Sequence, residues 1–231
     1  MMAQKTVLLI GASRGLGFAM AEEYLKRGVQ VIATGRENSR KALSALAARY
    51  PALLRVETVE ITQPDEVDAL RSRLGATRVD ILFVNAGVKN DDSETAANVS
   101  TGEFVRVMVT NALSPIRVIE RLKDCVTPGG TIAVMSSGQG SLTNNTNGQY
   151  DVYRGSKAAL NMFMRSFAAR QGDAPETLLL MAPGWVRTDM GGPDARLTIE
   201  ESIPALVDTL TASEGRTGLH YLDYLGREVP W

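Results

Sequence analysis

The amino-acid sequence predicts an α/β fold: a doubly wound, mostly parallel sheet of about seven strands with helices on both faces. Three observations lead to this class. Short apolar runs alternate with helical patterns along the 231 residues. The apolar runs lack polar alternation, as in parallel strands buried on both faces. Right-handed crossovers between such strands give a doubly wound sheet, whose ligands lie at the carboxyl ends of the strands. We expect one domain over residues 1–231.

The first β-α-β unit is predicted within residues 7–34. The apolar run 7–10 predicts a strand, and the glycines of 11–17 predict a sharp turn into a helix that stops at Gly28. Residues 29–34 form the second strand of the unit. The same alternation predicts a helix over 39–50, a strand over 54–59, a helix over 65–74 and a strand over 79–84.

The second half of the chain continues the alternation after a polar stretch over 89–100. A long helix is predicted to end near Thr127, and Pro128 to Gly130 predicts a turn. The remaining predictions are a strand over 131–135, a loop over 138–149, a helix over 151–170, a strand over 177–181, a helix over 197–211 and a short strand over 220–223.

Composition limits the classes of function. Hydrophobic residues make up 44% of the chain and charged residues 22%, which is typical of soluble globular proteins. The single cysteine, Cys125, excludes an internal disulfide and multi-cysteine zinc sites, so we expect no metal. The balance of 25 basic and 26 acidic residues gives no electrostatic signal for nucleic acid or membrane binding. The apolar run 7–10 is too short for a signal peptide or a membrane span, and we expect a cytoplasmic protein.

The glycine spacing after the first strand indicates a dinucleotide site. Gly11, Gly15 and Gly17 permit a sharp exit from the strand and a close approach of the backbone to a pyrophosphate. The N-terminus of the following helix offers free N–H donors and a partial positive charge. Glycines after a strand also occur in simple turns, and the strand before and the helix after favour the dinucleotide interpretation.

The end of the second strand indicates which dinucleotide is bound. Thr34-Gly35-Arg36 stands where an acidic residue would bind the ribose hydroxyl of NAD. Arg36, with Arg14 from the glycine turn, can pair with the 2′-phosphate of NADPH. Glu37 lies one position late for the NAD role. We therefore predict NADPH/NADP+, the alternative being that both arginines are ordinary surface charges.

Tyr153 and Lys157 form the candidate acid/base pair. Four residues apart on a helix, they share one face. A free tyrosine has a pKa of about 10, and a nearby ammonium is expected to lower it. Such pairs are common on helices, so their neighbours matter: Ser136 and Ser137 end the preceding strand, and Asn111 lies in the middle of the long helix. A hydroxyl at the strand end can hold a substrate oxygen beside Tyr153.

Together these residues resemble the short-chain dehydrogenase/reductase family over essentially the whole chain. The resemblance implies a Rossmann-type fold and a catalytic tetrad of Asn111, Ser137, Tyr153 and Lys157. Ser137 is preferred to Ser136 because Gly140 completes the serine-x-x-glycine pattern of the family. It also implies a proton relay that runs from Tyr153 through the cofactor ribose and Lys157 to a water held by Asn111.

The resemblance also implies cofactor contacts, most of which lie in turns that follow predicted strands. Thr188, after the Pro183-Gly184 turn, would touch the carboxamide or the phosphates, and Glu60 replaces the usual aspartate at the adenine amino group. Ile10 and Val84 also depart from the family's usual threonine and asparagine. The implied contacts are Gly11, Ser13, Arg14, Gly15, Leu16, Gly17, Arg36, Glu60, Ile61, Asn85, Ala86, Gly87, Tyr153, Lys157, Pro183, Gly184, Val186 and Thr188.

Residues 153–161, 184–193 and Pro230-Trp231 resemble more closely the C-factor and sniffer-type carbonyl reductases of that family, which are NADPH-linked enzymes or signalling proteins. The resemblance implies reduction of a small carbonyl substrate, or the reverse oxidation of an alcohol, with Tyr153 as the general acid/base. Residues 187–204 would form one wall of the substrate pocket. The helices of many relatives form dimer interfaces, and we expect a homodimer or homotetramer.

Two alternative functions are less well supported by the sequence. An NADPH-binding regulatory or signalling protein with little turnover is the main alternative, and the complete tetrad favours an enzyme over it. A serine hydrolase is disfavoured because no glycine precedes the serines at 136–137 in a G-x-S-x-G elbow.

Overall fold

The computed structural model describes residues 4–39 and 41–231, and within them seven strands form one parallel sheet. Arg40, which lies within the predicted helix 39–50, is outside the described residues, as are residues 1–3 of the predicted domain. The order across the sheet is β3-β2-β1-β4-β5-β6-β7, so the order in which strands are added reverses between β1 and β4. The strands are β1 (Thr6–Ile10), β2 (Gln30–Gly35), β3 (Leu54–Thr58), β4 (Val79–Val84), β5 (Val126–Met135), β6 (Thr177–Ala182) and β7 (Gly218–Asp223).

The helices that cover the two faces follow the predicted alternation. All the strands except β3, which contributes Leu54 to one cluster only, contribute to two buried clusters, one on each face of the sheet, and this confirms the doubly wound fold class. None of the helices in the described ranges is long and apolar enough to cross a membrane. The helices are α1 (Gly15–Lys26), α2 (Lys41–Arg49), α3 (Pro64–Leu74), α4 (Thr101–Met108), α5 (Ser114–Leu122), α6 (Asp151–Gln171) and α7 (Ile199–Ala212).

The long helix predicted to end near Thr127 is wrong in two respects. It is interrupted by a π-helical turn over Val109–Leu113, which separates α4 from α5, and α5 ends at Leu122, with a short 3-10 turn to Cys125. Hydrophobic periodicity does not reveal the π turn, in which Asn111 makes the polar contacts described below. The chain is extended from Val126 onward, where β5 begins, so the predicted end of the helix near Thr127 lies inside a strand.

The predicted turn at Pro128 to Gly130 is an irregular stretch inside the first half of β5. Val126 pairs with Val79 and Thr131 pairs with Ile81, so the β5 segment is longer than the β4 segment it faces. Gly129 has φ +75°, a conformation that favours glycine. A side chain at Gly130 would lie 2.8 Å from the main-chain oxygen of Asp80, which explains why the bulge carries two glycines.

The last residues return along the outer strand of the sheet. Gly226 donates to the oxygen of Asp223 in a turn, and Val229 donates to the oxygen of Tyr221 at 2.8 Å. Glu228 pairs antiparallel with Leu222. The hairpin therefore lays residues 228–231 antiparallel beside β7.

Candidate active site

The glycine turn is held against the end of β4 by close backbone packing. Gly11 has φ +88°, and a Cβ there would lie 2.7 Å from the nitrogen of Ala86. A Cβ at Gly17 would lie 2.2 Å from the oxygen of Gly11. The Asn85 amide donates to that same oxygen at 2.7 Å. Only glycine fits at 11 and 17, so these two residues fix the position of the turn against the sheet.

The outer side of the turn is open, unlike its inner side. A Cβ at Gly15 would meet nothing within 4 Å. Arg14 precedes α1 without a side-chain cap, and the first turn of the helix carries no acidic residue. The helix N-terminus therefore presents its N–H groups and partial positive charge outward, as a pyrophosphate cradle requires. Ser13 and Leu16, both predicted contacts, flank this opening and are not fully buried.

A cavity of about 680 Å³ lies beyond the ends of β2 and β3. Arg36 is at its edge, with a side chain 67% exposed, and its Nη1 lies 3.9 Å from Oε2 of Glu60. Behind it, the buried Thr34 hydroxyl accepts from the nitrogen of Gly11 at 3.0 Å, which ties the end of β2 to the glycine turn. The cavity is lined by Arg36, Glu37, Asn38, Ser39, Thr58, Glu60, Glu66, Ala69 and Arg73.

Glu60 lies in this cavity, but its side chain, longer than the family's usual aspartate, bends back to contact Thr62 in its own loop. Its Oε1 accepts from the nitrogen of Thr62 at 3.1 Å and from the Thr62 hydroxyl at 2.9 Å. One carboxylate oxygen is therefore occupied, and the other faces Arg36. Ile61, beside it, is buried. The adenine contact expected of Glu60 stays a prediction, now restricted to a single oxygen.

Lys157 and Tyr153 project from one face of α6 toward the end of β5. The Lys157 ammonium is almost fully buried and donates to the main-chain oxygen of Met135 at 2.8 Å. It lies 5.9 Å from the centre of the Tyr153 ring. Ser137, two residues past the end of β5, accepts at its hydroxyl from the nitrogen of Gln139 at 3.2 Å and hydrogen-bonds the Tyr153 phenol. Three of the predicted tetrad residues thus meet.

Burial dominates the ionisation of this pair. It raises the pKa of Tyr153 to about 12, and a hydrogen bond from Ser137 acts in the opposite direction without offsetting it. Burial lowers the pKa of Lys157 to about 8. Burial thus keeps the pKa of Tyr153 above its ordinary value in this structure, and the lowering expected from Lys157 stays a prediction.

Asn111 occupies the π turn and joins two elements. Its Oδ1 accepts from the nitrogen of Val88 at 2.8 Å, and its Nδ2 donates to the oxygen of Val88 at 2.8 Å and to the Ser156 hydroxyl at 2.9 Å. A Cβ at Gly87 would lie 3.4 Å from Asn111 Oδ1 and 3.5 Å from Lys157 Nζ. The amide is thus beside Lys157, with one lone pair of Oδ1 left for another partner. Single π turns inside helices often occur at functional sites.

The turn after β6 forms the opposite side of the site. The buried oxygen of Pro183 accepts from the Ser202 hydroxyl at 2.7 Å. Gly184 has φ +84°, and a Cβ there would lie 2.5 Å from the Leu197 side chain. Val186 pairs with Leu197, so residues 184–186 are fixed by the chain that follows them. The Thr188 hydroxyl accepts from the nitrogen of Gly191 at 3.1 Å.

Weak polar contacts link the rims of the site. Nη1 of Arg14 lies 3.5 Å from Asp189, and both side chains are mostly exposed. Nζ of Lys89 donates to the oxygen of Met190 at 3.4 Å. Leu142 and Trp185 are large apolar residues with exposed fractions of 76% and 50%. Apolar surface of this kind at a site edge suits contact with an apolar part of a substrate.

Sequence reasoning missed the support behind Ser137. The Tyr221 hydroxyl donates to the main-chain oxygen of Ser137, and the Ser136 hydroxyl donates to Asn161 at 2.6 Å. Asn161 in turn donates to the oxygen of Gly140 at 3.3 Å. Tyr221 lies in none of the segments that carry the resemblance. Asn161 ends the segment 153–161, but its role becomes visible only once β7 and α6 are packed.

The family and structural comparisons agree with this geometry. The sequence profile described as short chain dehydrogenase matches residues 5–196. A protein from Burkholderia multivorans described as a short-chain dehydrogenase/reductase, solved with bound NADP, is 58% identical, covers 99% of this chain and 100% of its own, and has a TM-score of 0.97. A carbonyl reductase from Pseudomonas aeruginosa PAO1, in complex with NADP, is 36% identical over 99% of this chain and 100% of its own, with a TM-score of 0.92.

A curated relative adds a second kind of likeness. C-signal from Myxococcus xanthus is 37% identical over 155 residues, which are 66% of this chain and 93% of C-signal. This agrees with the resemblance noted from residues 153–161 and 184–193. The profile match spans most of the chain, and the parallel seven-stranded sheet is that of the solved relatives. The chain belongs to the short chain dehydrogenase family.

Proposed function

We propose that the protein is an NADPH-dependent reductase of small carbonyl compounds, also able to run as an alcohol dehydrogenase, with Tyr153 as its general acid/base. The observation that carries the proposal is the meeting of Ser137, Tyr153 and Lys157 at the carboxyl end of β5, near Gly87 and the Asn111 amide. Hydroxyl, phenol and ammonium groups beside a dinucleotide cradle suit proton transfer to a carbonyl oxygen that receives a hydride.

The residues at the strand ends fit NADPH. The open face of Gly15 and the uncapped start of α1 suit its pyrophosphate, and the exposed Arg36 suits a 2′-phosphate at the cavity beyond β2. Gly87 and the turn at 183–188 would flank the nicotinamide. The Burkholderia and Pseudomonas relatives hold NADP, which supports the same choice here. When bound, the nicotinamide supplies the hydride.

The chain's own groups handle the proton. The Ser137 hydroxyl would hold the substrate oxygen beside the Tyr153 phenol. With a pKa of about 12, the phenol stays protonated near neutral pH and can donate to that oxygen. Lys157, whose burial lowers its pKa to about 8, carries a proton it can release and lies near enough to Tyr153 to help restore the phenol. The protonated phenol is the form that carbonyl reduction requires.

The C-signal relative supports a second candidate, an NADPH-binding regulatory or signalling protein with little turnover. It would use the same glycine turn and Arg36 but would not depend on Tyr153. Turnover that depends on Tyr153 would therefore distinguish the enzyme from the regulatory protein.

A cofactor titration tests the first part of the proposal. Binding of NADPH and NADH would be followed by nicotinamide fluorescence in the wild type, in Arg36→Ala and in Arg170→Ala, an exposed arginine of α6 paired with Glu120, as the matched control. We expect tighter binding of NADPH, lost only in Arg36→Ala. Equal or tighter binding of NADH by the wild type would contradict the assignment of Arg36.

Turnover of a panel of aldehydes and ketones tests the second part. We expect NADPH oxidation by the wild type and its loss in Tyr153→Phe, which keeps the ring and removes only the proton donor. Tight NADPH binding without turnover of any substrate would instead favour the regulatory candidate.

A further inference from the structure

A buried hydrogen-bond network lies behind the segment 136–140, on the side away from the cofactor cradle. The Tyr221 hydroxyl donates to the oxygen of Ser137, and the Ser136 hydroxyl and the Asn161 amide join the segment to α6. A Cβ at Gly140 would lie 2.9 Å from the Asn161 amide nitrogen, so the segment sits directly on the helix. The main chain of Ser137 is therefore fixed by β7 as well as by β5.

Tyr221 is itself supported by the segment that returns along β7. Its ring centre lies 5.6 Å from that of Trp231, at a tilt of 55°. The guanidinium of Arg165 lies 4.8 Å from the Trp231 ring centre, so the indole is between α6 and β7. The hairpin at 223–227 makes both ring contacts possible, because it turns residues 228–231 back along β7.

The same tryptophan reaches the loop that follows Ser137. The main-chain oxygen of Trp231 accepts from the nitrogen of Thr143 at 3.1 Å and from its hydroxyl at 2.6 Å. Leu142, the most exposed of the large apolar residues, precedes Thr143. One residue of the returning segment thus contacts both the brace of Ser137 and the rim of the site.

We propose that Tyr221, braced by Trp231, is a positioning residue that sets the place of Ser137 and of the loop 138–144 relative to Tyr153. Tyr221 is buried, and its hydroxyl donates to the oxygen of Ser137, so it would act through that residue. The inference rests on the role proposed above for Ser137, because a displaced Ser137 matters to turnover only if its hydroxyl holds the substrate. A hydroxyl misplaced by a fraction of an ångström loses much of its effect on rate.

Amide hydrogen exchange tests the positioning without requiring turnover. The amides of Gln139, Gly140 and Thr143 report on the loop, since they donate to Ser137 and Trp231. With NADPH present, we expect faster exchange over 138–144 in Tyr221→Phe and in Trp231→Ala. Trp231→Phe, which keeps an aromatic ring against Tyr221, should restore protection.

Tyr24→Phe is the matched control. It also removes a buried tyrosine hydroxyl, one without a hydrogen-bond partner in the described part of the chain, and should leave exchange over 138–144 unchanged. Unchanged exchange over 138–144 in Tyr221→Phe would overturn the proposal whether or not the protein turns over a carbonyl.

A double-mutant cycle with Ser137→Ala tests the consequence for catalysis. Tyr221→Phe should lower kcat/KM about tenfold, in keeping with the loss of one hydrogen bond to the reacting geometry, and leave the Kd for NADPH unchanged. In the Ser137→Ala background it should have no further effect. Fully additive effects would show that Tyr221 acts on the fold in general and would overturn the proposal. If Ser137→Ala retained wild-type activity, the proposed role of Ser137 would be wrong. The hydrogen-exchange result would still decide whether Tyr221 positions the segment.

Discussion

The Lys157 ammonium donates to the main-chain oxygen of Met135, the last residue of β5, across 2.8 Å in a nearly dry environment. Burial lowers its pKa from 10.5 to about 8, so protonation of Lys157 costs stability. That cost is fully present below pH 8 and is relieved as the pH rises toward 10.5, because over this range the unfolded chain binds the additional proton.

We therefore expect Lys157→Met to raise the free energy of unfolding at pH 7. Removal of the buried ammonium should raise the free energy of unfolding by at most about 3 kcal/mol, and loss of its hydrogen bond should reduce this gain by about 1 kcal/mol. The gain should disappear near pH 10.5. Urea unfolding at pH 7, 8, 9 and 10 measures it, with Lys41→Met, an exposed lysine of α2, as the control. Parallel pH curves for wild type and Lys157→Met would refute the expectation. Activity should be lost in the same variant.

Asn111→Ala should destabilise the fold by about 2–4 kcal/mol. The substitution leaves the main-chain N–H and C=O of Val88 and the Ser156 hydroxyl without their bonds to the Asn111 amide, and the site is fully buried. Denaturant unfolding gives the value. Ser114→Ala, just beyond the π turn, removes a buried hydroxyl that has no partner in the described part of the chain and should cost far less. Equal losses for the two variants would argue against the network.

Gly11→Ala and Gly15→Ala should separate packing from cofactor binding. An alanine at 11 would place its Cβ 2.7 Å from the Ala86 nitrogen, so we expect a large loss of stability. At 15 the added Cβ meets open space, and the positive φ costs about 1 kcal/mol. Gly15→Ala should therefore still fold, but it should bind NADPH more weakly. Thermal unfolding with and without NADPH would measure both effects. Retention of full NADPH affinity by Gly15→Ala would exclude close approach of the pyrophosphate there.

Asp189→Asn should change cofactor affinity without changing stability. The pair with Arg14 is long, at 3.5 Å, and exposed, so its loss should alter the free energy of unfolding by less than about 0.5 kcal/mol. Because Arg14 then lacks a competing carboxylate, the Kd for NADPH should fall about two- to fivefold at low salt, and the difference should shrink as salt is added. An NADH titration provides the control, since NADH lacks the 2′-phosphate.

The sequence was sufficient to predict the sheet and most of the site. Apolar strands and helical periodicity, as at 79–84 and 151–170, gave elements within a few residues of those observed, because burial on both faces leaves little freedom. The tetrad could be assigned from the resemblance to the family, and the turns after the strands could be placed together because parallel strands end at one edge of the sheet.

The remaining features depend on contacts between distant parts of the chain. The π turn is stabilised by the bonds of Asn111 to Val88, 23 positions away, which no local pattern contains. The pKa of Tyr153 depends on how completely α6 is covered. Tyr221 reaches Ser137 over 84 positions, through the pairing of β7 with β6. Such pairings become visible only when the tertiary structure is known.

The π turn also limits how the chain between α4 and α5 can change in length. A π turn holds one more residue than an α-helical turn, and each residue advances a helix by about 100°. With the turn in place, Val107 of α4 and Val118, Ile119 and Leu122 of α5 all face the core while Asn111 faces Val88. Deletion of one residue between 109 and 113 would give a regular helix and rotate one side relative to the other. The chain could then keep either the buried face of α5 or the amide beside Lys157. We therefore expect a change of one residue in length to be more damaging than a substitution at the positions of this segment other than Asn111.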